Sequence, residues 1–445
     1  MAETDELVRR AVEAAAGGES LEGFAVESRR TQVKAHGGTV ESLSFAESRG
    51  LGVRVIVDGR LGYAYATDPD LEEVAGLVAR ARENAGLGTP DEANRLPEAV
   101  PFRPLDGIYR PALAAHPTEG KVALALDLER VATSALPQVR KLEEAAYGDA
   151  VSRVAIASTA GVAAEYARTD CWCSAFAIAE DGEDTQTGFD FRLGHELDDL
   201  DWETVARDAA ERAARLLGAA KPGTERLPVL LDPLAAASFL GVLAGALSAE
   251  SVQKGRSLFA GLVGEAVASA AVTLVDDGRF LDGPAASPFD DEGVPTGRTD
   301  LIGSGRLLEF LHNTVTARRG NTVSTGNASR GSYRTVPGVA PSNLFLEPGP
   351  DEPAALLARA GRAIYVQDVT GVHSGANPVS GEFSVGATGL RVADGTLAEP
   401  LREMTIASTL IEMLRAVEAV GADLRFGGAV GSPTVLVGEM TVAGT

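Results

Sequence analysis

The sequence predicts an α+β protein: an N-terminal antiparallel sheet with helices, followed by a large β-rich C-terminal domain. Three observations lead there. Residues 4–16 place Leu7, Val8, Ala11, Val12 and Ala15 on one helical side, and from Gly23 the apolar period changes to two. Gly37-Gly38 and Asp58-Gly59 punctuate the alternating runs, the second being a strong hairpin signal. The last half of the chain is rich in Gly, Pro, Thr and Val, with turns such as Val275-Asp-Asp-Gly, Asp290-Asp-Glu-Gly and Val392-Ala-Asp-Gly.

Four strand candidates follow the first helix, at 24–34, 40–47, 52–57 and 62–66. A helix is expected at about 71–86, apolar at Leu71, Val74, Leu77, Val78 and Ala81. Residues 88–118 carry Pro90, Pro97, Pro101, Pro104, Pro111 and Pro117 and read as a long connector. A helix at about 118–134 leads to further strands, clearest at 154–158 and 174–179. Residues 202–217 form another amphipathic helix, closed by Gly218-Ala-Ala-Lys-Pro-Gly. This succession hints at a duplicated unit, without a clean sequence repeat. In the last half only 351–361 and roughly 407–420 look helical, and the final strand is expected at 434–442. With 445 residues the chain exceeds one ordinary core. The expected divisions are an N-terminal α+β domain at 1–110, a central α+β region at 111–225 and the β-rich domain at 226–445.

Residues 228–250 organise the last domain. Val229 to Leu231 is short and wholly apolar, as a strand buried on both faces would be. Asp232 can cap a helix and Pro233 suits its first turn. The helix that follows is apolar nearly all round and contains Gly241 and Gly245. That spacing admits another backbone, so the helix is expected inside the fold.

The formal charge of −23 and the lack of a Lys/Arg cluster argue against nucleic acid as a partner. No run of about 18 apolar residues could span a bilayer. The acidic start has no basic segment leading into an apolar one, so no signal peptide is expected and the protein reads as cytoplasmic. Cys171 and Cys173, too close for an unstrained bridge, read as reduced thiols. His36, His116, His195, His312 and His373 never pair at metal-binding helical spacing. His195-Glu196 begins like a zinc-peptidase motif, but no second His follows. There is no Gly-x-Ser-x-Gly elbow. Two polar glycine-rich runs remain. Residues 324–331 are either a surface or interface loop or a peptide-binding wall, and 374–384 are either structural turns or a binding loop.

These runs carry a resemblance. Gly38-Thr-Val-Glu, Arg49-Gly-Leu-Gly-Val-Arg-Val, Asp290-Asp-Glu-Gly-Val-Pro-Thr, Ser324-Thr-Gly-Asn-Ala-Ser-Arg-Gly-Ser-Tyr, Pro341-Ser-Asn-Leu and Asn377-Pro-Val-Ser-Gly-Glu-Phe-Ser occur in order. With the closing Val435-Leu-Val-Gly-Glu-Met-Thr-Val, they resemble the TldD/PmbA family, also called modulators of DNA gyrase, over nearly the whole chain. The resemblance implies two branches that act together as a zinc metallopeptidase on peptides. One carries His-Glu-x-x-x-His on the core helix and a Cys near the C-terminus. Here that helix position reads Leu240-Gly-Val-Leu-Ala-Gly-Ala, and residues 422–433 contain no Cys. The chain therefore resembles the metal-free branch, TldE or PmbA.

What the resemblance implies is a subunit without catalytic residues or cofactor, paired with a zinc-bearing TldD-like paralogue and forming a homodimer when alone. Unfolded or short peptides would be the substrate. Ser324, Thr325, Asn327, Arg330, Asn343, His373, Asn377, Ser380 and Phe383 are the candidates for contacting substrate or partner. The alternatives are a stand-alone homodimeric peptide-binding or scaffold protein, and a hydrolase with an unrecognised Ser or Asp centre.

Overall fold

The structure, a computed structural model, describes residues 3–444 apart from the side chain of His373. Strands β1 (Ser20–His36), β2 (Thr39–Val57), β3 (Arg60–Thr67), β4 (Val139–Ser158), β5 (Ala163–Asp181) and β6 (Asp184–Gly194) form one antiparallel sheet, ordered β3-β2-β1-β4-β5-β6. Its halves repeat one plan of helix, three-strand meander and helix, related by a local twofold between β1 and β4. Helices α1 (Thr4–Glu13) and α2 (Leu71–Leu87) flank the first meander. After the short α3 (Pro111–Ala114), helices α4 (Thr118–Ala135) and α5 (Trp202–Ala214) flank the second. Glycine exposes the repeat, because each third strand is packed backbone to backbone by the next helix. A Cβ on Gly62 would lie 2.0 Å from the Ala81 carbonyl oxygen, and one on Gly188 2.2 Å from the Ala213 nitrogen. Residues 1–110 and 111–225 thus both contribute to a single sheet.

Leu21, Ala25, Leu51, Val53 and Val55 pack under α1 and α2, and Val33, Ala35, Leu142 and Tyr147 under α4 and α5. The strands expected at 40–47 and 52–57 are one strand, β2. Gly50, in the gap between the two expected strands, makes room within β2: a Cβ on it would lie 2.2 Å from the Tyr333 ring.

The C-terminal part opens with β7 (Glu225–Leu231), α6 (Pro233–Ala246), α7 (Ala249–Gln253), β8 (Leu274–Asp277), β9 (Arg298–Gly303) and β10 (Arg306–Leu307). It continues through α8 (Thr314–Arg319), β11 (Ala328–Ser329), β12 (Gly338–Val339), β13 (Leu344–Leu346), α9 (Pro353–Ala360), β14 (Ala363–Thr370) and α10 (Val372–Gly375). Last come β15 (Glu382–Ala393), β16 (Thr396–Thr409), α11 (Leu410–Arg415), β17 (Val417–Val420), β18 (Arg425–Phe426), β19 (Val430–Ser432) and β20 (Val435–Gly444). The order β16-β15-β14-β7-β20, with β20 pairing back onto β16, closes a five-stranded barrel. A second sheet, β10-β9-β8-β13-β19-β18, lies beside it. The architecture is the α+β arrangement the sequence predicts. The helix expected at 407–420 shrinks to α11, because residues 407–409 continue the barrel strand β16 and Val417 already begins β17, which pairs with β20.

Candidate functional site

Strand β7 is buried on both faces. Val229 and Leu231 join the main core with α6, and Leu230 packs with Leu356 of α9. At its end Asp232 caps α6, its Oδ1 accepting from the Leu234 amide at 3.1 Å. Its Oδ2 accepts from Arg212 of α5 and from the Tyr365 hydroxyl, both at 2.7 Å. Burial alone would raise this carboxyl, but the Arg212 guanidinium outweighs it and holds Asp232 below the usual carboxylate range. The start of the barrel helix is therefore pinned by a residue of the N-terminal unit.

On its inner side α6 buries Phe239, Leu240 and Leu243, with the Phe239 ring 4.9 Å from that of Phe383. Its outer side is open. Ser238, Gly241 and Gly245 are exposed, and nothing lies within 4 Å of a Cβ built on either glycine. This corrects the expectation of a wholly internal helix: the glycines clear space outward, not against another element of this chain. The Ser238 hydroxyl donates to the Leu234 carbonyl at 2.9 Å. Neither it nor the glycines can ligate zinc. Among the described residues no group of three or more His, Cys, Asp and Glu could hold a metal ion. The residues on this face do not fit the family's zinc.

The nine candidate residues fall in two places. Asn377 and Ser380 lie exposed in the turn before β15, where Asn377 Oδ1 accepts from the Val379 and Ser380 amides at 2.9 and 3.2 Å. Phe383 follows them, buried against α6. His373 belongs to α10, and its side chain lies outside the described residues. The others lie in the loops of the C-terminal part, where Arg330 reaches across to the N-terminal unit. The Thr325 hydroxyl donates to Asn327 Oδ1 at 2.6 Å, and Asn327 Nδ2 donates to Asp276 at 2.6 Å. Ser324 donates to the His312 carbonyl at 3.1 Å, and Asn343 donates to the Asp277 carbonyl at 3.0 Å. Burial pushes Asp276 up to about 7, against the opposing hydrogen bond from Asn327.

Arg330 is the centre of a buried junction that sequence reasoning missed. Its guanidinium is ion-paired to Glu22 of β1, lies 4.7 Å from the Phe24 ring centroid, and donates to the Asp291 carbonyl at 3.1 Å and the Thr335 carbonyl at 3.0 Å. Arg54 of β2 donates to Glu22 at 2.6 Å and to Glu292 at 2.9 Å. Glu292 in turn accepts from the Thr314 amide at 2.9 Å. Burial opposes charge on Arg54, yet Glu22 and Glu292 more than offset it and raise its pKa. The only sequence signal was Arg54 itself, a charge set between Val53 and Val55.

Family models for a metallopeptidase match along the chain: PmbA/TldA metallopeptidase domain 1 at 21–85, its central domain at 111–217 and its C-terminal domain at 224–444. The chain belongs to the PmbA/TldD metallopeptidase family. It is 28% identical to metalloprotease PmbA of Escherichia coli O157:H7, over 99% of this chain and 96% of that one. An uncharacterised protein of Methanocaldococcus jannaschii is 30% identical, over 81% of each chain. A crystal structure of a proposed DNA gyrase modulator from Thermotoga maritima superposes with a TM-score of 0.92 at 28% identity, covering 99% of this chain and all of that one.

Proposed function

We propose that this chain is the metal-free, PmbA-like subunit of a two-component metallopeptidase acting on unfolded or short peptides. The observation that carries this reading is the open face of α6. In the other branch the corresponding helix carries His-Glu-x-x-x-His, whereas here it presents Ser238, Gly241 and Gly245. Peptide hydrolysis needs an activated water and stabilisation of the oxyanion, both of which zinc supplies in this family. A zinc-bearing paralogue would bring them. The bare helix face and the exposed turn at Asn377 and Ser380 are surfaces such a partner or its substrate could contact.

The test is to purify this chain alone and together with a paralogue bearing His-Glu-x-x-x-His, then follow cleavage of a fluorogenic peptide. Only the mixture should be active, chelator should abolish that activity, and elemental analysis should find no stoichiometric zinc in this chain. Chelator-sensitive cleavage by this chain by itself would overturn the proposal.

A further inference from the structure

We propose that the outer edge of β2, residues 43–47, pairs antiparallel with the same edge of a second copy of this chain, on a twofold axis at Phe45. Strand β3 pairs only with Gly50–Val57, and Asp68 and Pro69 then turn the chain away into α2. Residues 39–48 pair with β1 on their inner side and are all exposed. Among the described residues no strand meets their outer side. The Arg49 carbonyl accepts from the Asp68 amide on that side at 2.9 Å. Strand alternation therefore turns the amides and carbonyls of Leu43, Phe45 and Glu47 outward as well. Before Leu43 the alternation breaks, because Lys34 faces Ser42 and Ala35 faces Val40, leaving Glu41 as a bulge. The free edge is thus three outward residues, bounded by the bulge and by Asp68, with Phe45 in the middle.

That set is complementary to itself. About an axis at Phe45, Leu43 faces Glu47 of the second copy, the two Phe45 residues face each other, and Glu47 faces Leu43. Each pair exchanges both amide and carbonyl, so no outward group is left over. No carboxylate meets another: Glu47 is held by Arg29 of β1 at 3.2 Å and comes opposite an apolar residue. Sliding the second copy either way sets an outward residue against the bulge or against Arg49, whose carbonyl Asp68 already occupies. The two bounds therefore select one register.

Side chains favour the same pairing. Leu43 and Phe45 lie opposite Val33 and Thr31, which are buried, yet are themselves 49% and 65% exposed. Thr31 accepts from Lys121 of α4 at 3.0 Å, so both apolar residues stand on the helix-bearing face. Glu129 of α4 accepts from the Gly37 and Gly38 amides at 2.7 and 3.0 Å, which lays that helix alongside the hairpin. On the same side of α4, Val122 and Leu126 are only partly buried. Pairing gathers Leu43 and Phe45 of both copies into one apolar strip between the two α4 helices. The internal repeat shows this chain covering an edge of the same kind. In the second meander, residues 163–170 of β5 lack a strand partner on that side, because β6 begins opposite Cys171. There the Thr169 amide donates to the Ile108 carbonyl of the connector at 2.9 Å. The edge of β2 has no such cover from its own chain. The inference concerns this chain alone and stands or falls separately from the peptidase reading.

Sedimentation velocity with the whole chain tests it. A monomer–dimer equilibrium in the micromolar range is expected, since one paired edge is a small interface. Phe45→Lys keeps the backbone but sets like charges face to face on the axis, and should weaken the dimer at least about tenfold. Circular dichroism checks that this variant folds. Cross-linking reads the register whether or not it does. Ser44 and Ala46 of the second copy form a non-hydrogen-bonded pair, with Cα atoms about 4.5 Å apart and within disulfide range. Oxidising a mixture of Ser44→Cys and Ala46→Cys chains should give a covalent dimer, and neither variant by itself should. The native Cys171 and Cys173 are buried and do not compete. Monomer at every concentration, a dimer that folded Phe45→Lys leaves intact, or no mixed cross-link would overturn the proposal. So would a monomeric chain whose Ala46→Cys thiol is shielded from alkylation only by an added zinc-bearing paralogue, since that partner would then hold the edge.

Discussion

Replacing Arg330 with alanine separates a structural role from a direct role in substrate contact. The side chain is 1% exposed, and it joins the C-terminal loop to Glu22 of β1 and to two carbonyls of its own domain. Truncation would leave Glu22 buried with Arg54 as its remaining cation. Breaking a buried pair in this way costs about 3–5 kcal/mol. The unfolding entropy of a chain of 445 residues is roughly 0.9 kcal/mol/K if it unfolds as one unit, so Tm should fall by about 3–5 °C. Differential scanning calorimetry reads this directly. Glu22→Gln completes a double-mutant cycle, whose coupling should exceed about 1 kcal/mol. A folded Arg330→Ala protein with unchanged Tm and no coupling to Glu22 would refute the junction as a source of stability, and any loss of activity would then belong to the loop itself.

Three further outcomes follow from the geometry. Asp276 holds its proton in the folded chain up to about pH 7, against an ordinary value of 3.8, so its stabilising contribution is full below about pH 4 and is lost as pH rises through 7. Asp276→Asn should therefore flatten the decline in Tm between about pH 4 and 7, an effect of at most about 4 kcal/mol; an unchanged pH profile would contradict it. Gly62→Ala and Gly188→Ala each drive a methyl into helix backbone and should cost about 1–3 kcal/mol in urea unfolding, whereas Gly241→Ala should not destabilise. Asp232→Ala removes the α6 cap and strands Arg212, so hydrogen exchange should rise in α5 and the first turn of α6, with protection of β1 kept.

Local chemistry wrote much of this fold legibly. The Asp232-Pro233 start of α6, the Asp58-Gly59 hairpin and the apolar faces of α2 and α4 all depend on neighbours a few residues away. The misreadings have two causes, distance along the chain and the blindness of spacing to direction. The gap left at 48–51 is continuous strand, and the ring that needs the space at Gly50 belongs to the distant Tyr333. Gly241 and Gly245 looked like an internal contact because spacing does not tell inward from outward clearance. The buried junction was half visible, since Arg54 breaks an apolar run and must find an anion. Its partner Glu292 is 238 residues away, and the Glu22–Arg330 pair spans 308. No period in the sequence carries that information.

The two ionic junctions divide along the internal repeat. Glu22 and Arg54 belong to the first meander and reach Arg330 and Glu292. The second half sends Arg212 to Asp232 at 2.7 Å and receives Arg425 on Asp190 at 2.7 Å. Each half of the sheet thus has its own charged attachment to the C-terminal part, and no residue is shared between them. Buried pairs of this kind add little net stability over apolar packing, but a mispaired arrangement would leave a charge stranded. Their effect here is to select one docking of the sheet on the barrel. That docking fixes the start of α6, through Asp232 and Arg212, to the second half of the sheet.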